Sequence, residues 1–321
     1  MSNAQATSTG LLARVWGWFP SEVDRTVKVV AWASLACQIV LVGTGGLVRL
    51  TGSGLGCPTW PECSDGSFVT TPAMGYHGII EFGNRMLTFV LVIIVIAAFL
   101  SILKIRRQRR DLFWLTFVQG MSIPFQAVLG GITVLAKLNP YVVGSHFIVS
   151  MILVRIATTL VYRVYYGPKG RSAASPRWYE RTTHVTAVFV AITVVLGILT
   201  TGAGPHAGDA HTHRNGLDPK IIEVFHAVPA FVVFGLTLVL VAFAVKLGLP
   251  RFFPVALLSV EVAQIVVGLV QANTGLPPLL VGSHLVLAAL LVAAMTATAH
   301  SLRRDGGHIG QLREATLTQT K

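Results

Sequence analysis

The sequence predicts an all-α integral membrane protein, with eight transmembrane helices arranged as two tandem pseudo-symmetric four-helix bundles. Three observations carry this: long uncharged apolar runs, basic segments between them, and an internal repeat. Of the 321 residues 53% are hydrophobic and only 12% charged, with a mean hydropathy of +0.68. A soluble domain carries about 25% charged residues, because its surface must be wetted. The run from Leu87 to Leu103 holds no charge at all. About 20 such residues cross a hydrocarbon core of about 30 Å at 1.5 Å per residue. A soluble fold would have to bury several helices of this kind completely inside one small domain.

Apolar periodicity and length place the spans at 29–49, 77–103, 112–135, 141–162, 183–202, 221–245, 253–273 and 279–300. The net charge of +12 suggests a nucleic-acid partner until the charges are located. They cluster between spans, at Lys104, Arg106, Arg107, Arg109 and Arg110, and again at Arg163, Lys169, Arg171, Arg177 and Arg181. With the N-terminus inside, these clusters, Arg14, Arg25, Lys28, Lys246, Arg251, Arg303, Arg304, Arg313 and Lys321 are all cytoplasmic. Outer loops keep only Lys137, Arg214 and Lys220, as the positive-inside rule requires. The expectation is a multi-pass plasma-membrane protein in contact with lipid, both termini cytoplasmic, with no nucleic-acid partner. No small-residue cleavage site follows an apolar stretch in residues 1 to 25, so no cleaved signal is expected.

The chain repeats itself. Gln126-Ala-Val-Leu-Gly leads to Val143-Gly-Ser-His146, and Gln264-Ile-Val-Val-Gly leads to Val281-Gly-Ser-His284. Ile79-Ile80-Glu81 is echoed by Ile221-Ile222-Glu223. This divides the chain into a tail (1–28), a first half (29–162), a basic linker (163–182), a second half (183–300) and a second tail (301–321). Each half has an even number of spans, so both copies share one orientation, related by an axis along the membrane normal.

Polar groups inside a bilayer are costly and ask for a reason. His226 in span 6 and His284 in span 8 fall at comparable depth. A four-helix bundle with inward histidines on two helices can clamp a haem iron between two imidazoles. Zinc or copper also accept imidazole, but no cysteine or carboxylate set completes such a site here. In the first half His146 matches His284, while Asn84 stands where His226 would. Asparagine is not a usual axial ligand. His77 lies on nearly the same helix face, about 10 Å further out by helix rise. An open position opposite His146 is the alternative. Glu81 has two readings: a structural partner for Arg85 at i,i+4 spacing, or a proton acceptor or charge stabiliser beside a substrate. Arg85 and Arg49 suit haem propionates, because guanidinium binds carboxylate as a bidentate fork.

Cys57 and Cys63 share the first outer loop, where disulfides persist, and are expected to pair; the bond either braces the loop or passes electrons. Cys37, inside span 1, reads as packing. His206, Asp209, His211 and His213 lie in one outer loop, but lack companion ligands and read as solvated.

The string Gly45-Gly46-Leu47-Val48-Arg49-Leu50-Thr51-Gly52-Ser53-Gly54-Leu55, followed by Cys57-Pro58 and Trp60-Pro61, resembles the first loop of haem A synthases. Glu81 to Arg85 and the two Gly-Ser-His copies extend the resemblance through all eight spans. The resemblance implies haem b held by His226 and His284 in the second half. It implies substrate haem O near His146 in the first half, with Glu81 as the acidic residue needed for activity and Cys57–Cys63 as the loop disulfide. The implied reaction oxidises a ring methyl of haem O to a formyl group by successive hydroxylations, giving haem A for cytochrome oxidase. A haem O-producing membrane enzyme is the implied partner. The family pattern Glu-x-x-His-Arg is broken here, since Asn84 replaces the histidine. A non-catalytic b-type cytochrome and a membrane transporter are the rival readings.

Overall fold

A computed structural model describes residues 16–168, 175–209 and 211–302. The rest of the two tails and the middle of the basic linker lie outside, and with them Arg14, Lys169, Arg171, Arg303, Arg304, Arg313 and Lys321.

The described residues form eight long helices: α1 Arg25–Leu50, α2 Gly75–Leu103, α3 Arg110–Leu135, α4 Pro140–Tyr166, α5 Arg177–Ala203, α6 Pro219–Lys246, α7 Phe252–Asn273 and α8 Pro278–His300. All eight are long and apolar enough to cross a membrane, and each expected span falls inside one of them. The described residues form no strand. The outward surface is apolar: Ile93 is 68% exposed, Phe89 61% and Val224 61%. In water this would be a contiguous apolar patch; in lipid it is the solvated face. This is a multi-pass membrane protein.

Helix ends follow local chemistry. Asp24 caps α1 by accepting from Val27 N at 3.0 Å, and Asp218 caps α6 through Lys220 N and Ile221 N. Proline opens α4, α6 and α8, where its missing N–H loses no helical bond. Hydropathy alone starts α5 at 183, but the helix begins at Arg177. Trp178, Tyr179 and Arg181 extend it because each pairs an apolar body with a polar tip; Tyr179 donates to Leu240 O at 3.1 Å.

Neighbour contacts close two rings of four, α1-α2-α3-α4 and α5-α6-α7-α8, joined by α1 against α8, α4 against α5 and α4 against α8. The α3–α4 and α7–α8 turns repeat in detail. Leu138 and Leu276 occupy equivalent places with positive φ of 58° and 59°. Their N–H groups donate to Thr133 O at 2.8 Å and Gln271 O at 2.9 Å, again equivalent. Glycines bring α1 and α8 together: a methyl at Gly46 would stand 2.7 Å from Leu285 Cδ1, and one at Gly43 3.0 Å from Val286 Cγ2. Cys37 packs in an apolar cluster with Leu91 and Val95.

Candidate functional site

Two clusters of polar groups lie toward the end of the bundle that carries the Cys57–Cys63 loop. In the second ring the imidazoles of His226 (α6) and His284 (α8) face each other, with centroids 6.2 Å apart and planes at 73°. His226 Nδ1 lies 3.0 Å from Thr193 O. A carbonyl has no proton to give, so Nδ1 donates and Nε2 keeps its lone pair. A metal-ligating histidine has this arrangement. His284 Nδ1 is buried with no hydrogen-bond partner among the described residues. Room for the rings comes from glycine. A methyl at Gly197 would be 2.9 Å from His226 Cε1, and one at Gly268 3.2 Å from His284 Cε1.

The separation suits one metal between two imidazoles. Two bonds of about 2.0–2.1 Å, the range for imidazole on zinc, plus half a ring on each side, span a similar distance. No three of the described histidine, cysteine, aspartate and glutamate side chains converge as a separate metal cluster. The donor set therefore fits a macrocycle that supplies its own equatorial ligands.

In the first ring His146 (α4) occupies the place of His284. Its ring rests against Gly130, where a methyl would be 3.4 Å from Cε1, and its buried Nδ1 also lacks a partner. Asn84 accepts from Thr44 Oγ1 at 2.7 Å. His77 is turned to the first outer loop, with Nδ1 3.1 Å from Ser53 Oγ and its ring 4.0 Å from that of Tyr76.

The outer loop is fastened onto α2. Cys57 and Cys63 are disulfide-bonded and fully buried. Cys57 N–H donates to Glu81 Oε2 at 2.7 Å, while Arg85 donates to Glu81 Oε1 at 2.7 Å. Arg85 also reaches the carbonyls of Cys57, Thr59, Pro61 and Glu62 at 3.2–3.5 Å. Trp60 lies on α3: a methyl at Gly131 would be 2.3 Å from its indole, so only glycine fits there. Glu81 is 6% exposed, whereas its repeat counterpart Glu223 is exposed.

The sequence profile of the cytochrome oxidase assembly protein family matches residues 28–296, which takes in every helix almost to its end. The chain belongs to that family. Among individual relatives, "Heme A synthase" of Bacillus pumilus is 40% identical over 116 residues, 36% of each chain. The same-named protein of Listeria welshimeri is 31% identical over 131 residues, 40% of this chain and 43% of its own. That of Geobacillus thermodenitrificans is 24% identical over 125 residues. The matched stretch thus spans less than half the length of these curated relatives.

In this member of the family, Arg49 does more than the sequence suggested. Its guanidinium donates to His206 O at 2.6 Å and Thr201 O at 2.9 Å, clasping the first ring to the second. Gly54 N donates to Gly208 O at 2.8 Å beside it. His206 itself donates from Nε2 to Leu276 O at 2.9 Å.

Sequence reading missed Glu261 on α7. It is 4% exposed, with Oε1 accepting from Thr237 Oγ1 at 2.8 Å and Oε2 without a partner. The signal was available: it is the single carboxylate in span 253–273. The buried Ser34–Gln38–Gln119 cluster was also missed, with Ser34 Oγ donating to Gln119 Oε1 at 2.6 Å.

Proposed function

We propose that this chain is a haem A synthase, an oxidoreductase that converts a ring methyl of haem O to a formyl group by successive hydroxylations. The facing imidazoles of His226 and His284, 6.2 Å apart, carry the reading. Family membership and the relatives' names support it. Haem b would be the resident cofactor of the second half, supplying one-electron chemistry when bound. His226 and His284 would hold it, with Thr193 O keeping the His226 ring in the tautomer that leaves Nε2 free to bind.

The first half, 29–162, would take substrate haem O, with His146 as the ligand from α4. Glu81 would accept or balance a proton beside the reacting methyl. Arg85 fixes the direction of that carboxylate and ties it to the disulfide loop, through the loop carbonyls and Cys57 N–H. Arg85 and Arg49 spend their visible donors on Glu81 and on carbonyls, so propionate contacts would use their remaining N–H groups. The orientation proposed is both termini cytoplasmic and the Cys57–Cys63 loop outside, in a plasma membrane. A haem O-producing membrane enzyme would be the donor partner.

Co-expression with a haem O supply tests the activity. Mass analysis of extracted haem is expected to find haem A together with hydroxylated haem O. Haem b alone in repeated preparations would favour an electron-carrying cytochrome, and a colourless protein would favour a transporter.

Asn84 sets a second test. If His77 substitutes for the missing ligand, His77→Ala cuts haem A yield at least tenfold while haem b content holds. An undiminished yield retires His77 and leaves His146 the only protein ligand of the substrate iron.

A further inference from the structure

The two Gln-to-His repeats are not used by the mechanism above. We infer that Gln264 and Gln126 are positioning residues that clamp the axial imidazoles of His284 and His146, each taking the ring Nδ1–H on its Oε1. The inference rests on the haem reading.

All three inward histidines share one packing device. Each ring lies against a glycine of the neighbouring helix: His226 on Gly197, His284 on Gly268, His146 on Gly130. For His226, the residue one turn before that glycine is Thr193, and its carbonyl takes the ring N–H at 3.0 Å. One turn before Gly268 stands Gln264, and one turn before Gly130 stands Gln126.

Both glutamines already hold the backbone of their histidine. Gln264 Nε2 donates to His284 O at 3.2 Å, and Gln126 Nε2 to His146 O at 3.4 Å. Because Nε2 is the donor in each, the amide orientation is fixed and Oε1 is the free end. Gln264 Oε1, Gln126 Oε1, His284 Nδ1 and His146 Nδ1 are all buried with no partner among the described residues. These are two acceptors and two donors, matched one to one at equivalent places of the repeat. The Nδ1 edge faces the correct helix: a methyl at Gly268 would be 3.7 Å from His284 Nδ1, and one at Gly130 3.8 Å from His146 Nδ1.

Turning the amide so that Oε1 meets Nδ1–H would pair both orphans, and with the Nε2 bond to the backbone carbonyl it would grip one histidine at two points. A ring whose Nδ1 carries the proton offers Nε2 to iron, and an acceptor on Nδ1–H makes it a stronger donor. Gln126 is also bonded to Ser150 Oγ at 2.8 Å, whereas Ala288 stands at that place in the second half. Gln264 is therefore the cleaner position to test.

The experiment measures haem b midpoint potential and low-spin electron paramagnetic resonance in the purified full chain, comparing wild type with Gln264→Met and Gln264→Glu. Met keeps the length and removes the acceptor; Glu keeps an acceptor oxygen. A weaker axial donor favours ferrous iron. Gln264→Met is expected to lose about tenfold in ferric over ferrous preference, an upward shift of about 59 mV for one electron, with altered low-spin g values. Gln264→Glu is expected to stay at or below the wild-type potential. Unchanged potential and g values in haem-loaded Gln264→Met overturn the inference. Should Gln264→Met fail to keep haem, Gln264→Glu decides: haem retained at or below the wild-type potential supports the clamp, and haem lost there too overturns it. A wild type without haem instead sinks the haem reading itself.

Discussion

His284→Ala is expected to abolish the low-spin signal of the resident haem and turn what haem remains high-spin. His226 and His284 would together hold the proposed haem, and removing His284 would leave a place against Gly268, which has no side chain to fill it. The helix itself should survive, because alanine is the best helix former and α8 is held on α7, α5, α4 and α1. The His226→Ala variant should give the same spectrum. Haem A yield should fall to background in both, as electrons no longer reach the substrate half. Visible and electron paramagnetic resonance spectra check this directly. A wild-type low-spin signal in His284→Ala would remove that residue from the coordination sphere.

Glu81→Gln is expected to lower haem A yield by about 10²–10⁴-fold, the usual contribution of a positioned acid or base, with little change in thermal stability. Glutamine keeps the length of Glu81 and still offers an acceptor to Cys57 N–H, so the loop stays fastened. Opposite Arg85 the charge and one acceptor are lost, because the amide NH2 then faces its guanidinium, but that arginine retains carbonyl partners from the loop. Glu81→Ala should be worse in a different way. It leaves Cys57 N–H unmet and breaks a largely buried pair, a loss that reaches about 3–5 kcal/mol when the remaining charge is uncompensated. The carbonyls around Arg85 hold the loss toward the lower end, read as a drop in melting temperature. Normal haem A yield in a stable Glu81→Gln protein would leave Glu81 a structural partner for Arg85.

The helices were legible because hydrocarbon thickness is a stringent ruler: every apolar run long enough to cross became one helix. Their ends were less so. Arg177, Trp178 and Tyr179 score as polar or ambiguous, yet continue α5, where Tyr179 packs its ring beside Leu240 and Ala244 and Trp178 sets its ring against Phe243. The repeat pointed to His146 and His284, since a shared Gly-Ser-His at fixed distance from a glutamine carries more information than any single residue. What could not be read was the use made of charged groups. Arg49 invited a propionate, but its donors meet carbonyls at the end of α5 and in the loop after it, about 150 positions away. Backbone acceptors have no side-chain signature, so sequence cannot announce them. Glu81 with Arg85 was foreseeable from i,i+4 spacing; the cover of Cys57 N–H over Oε2 was not.

The Arg49 clasp bears on how the molecule moves. Alternating access in tandem-repeat carriers is rocking of one repeat against the other about a central site. Here the seam is stitched at the disulfide-loop end by Arg49 to Thr201 and His206 and by Gly54 to Gly208, and runs on along close glycine contacts between α1 and α8. Opening it would strip a buried guanidinium of its acceptors. His146 on one side of the seam and the His226–His284 pair on the other are thus held at constant spacing in one frame, which counts against the rocking motion that a carrier needs.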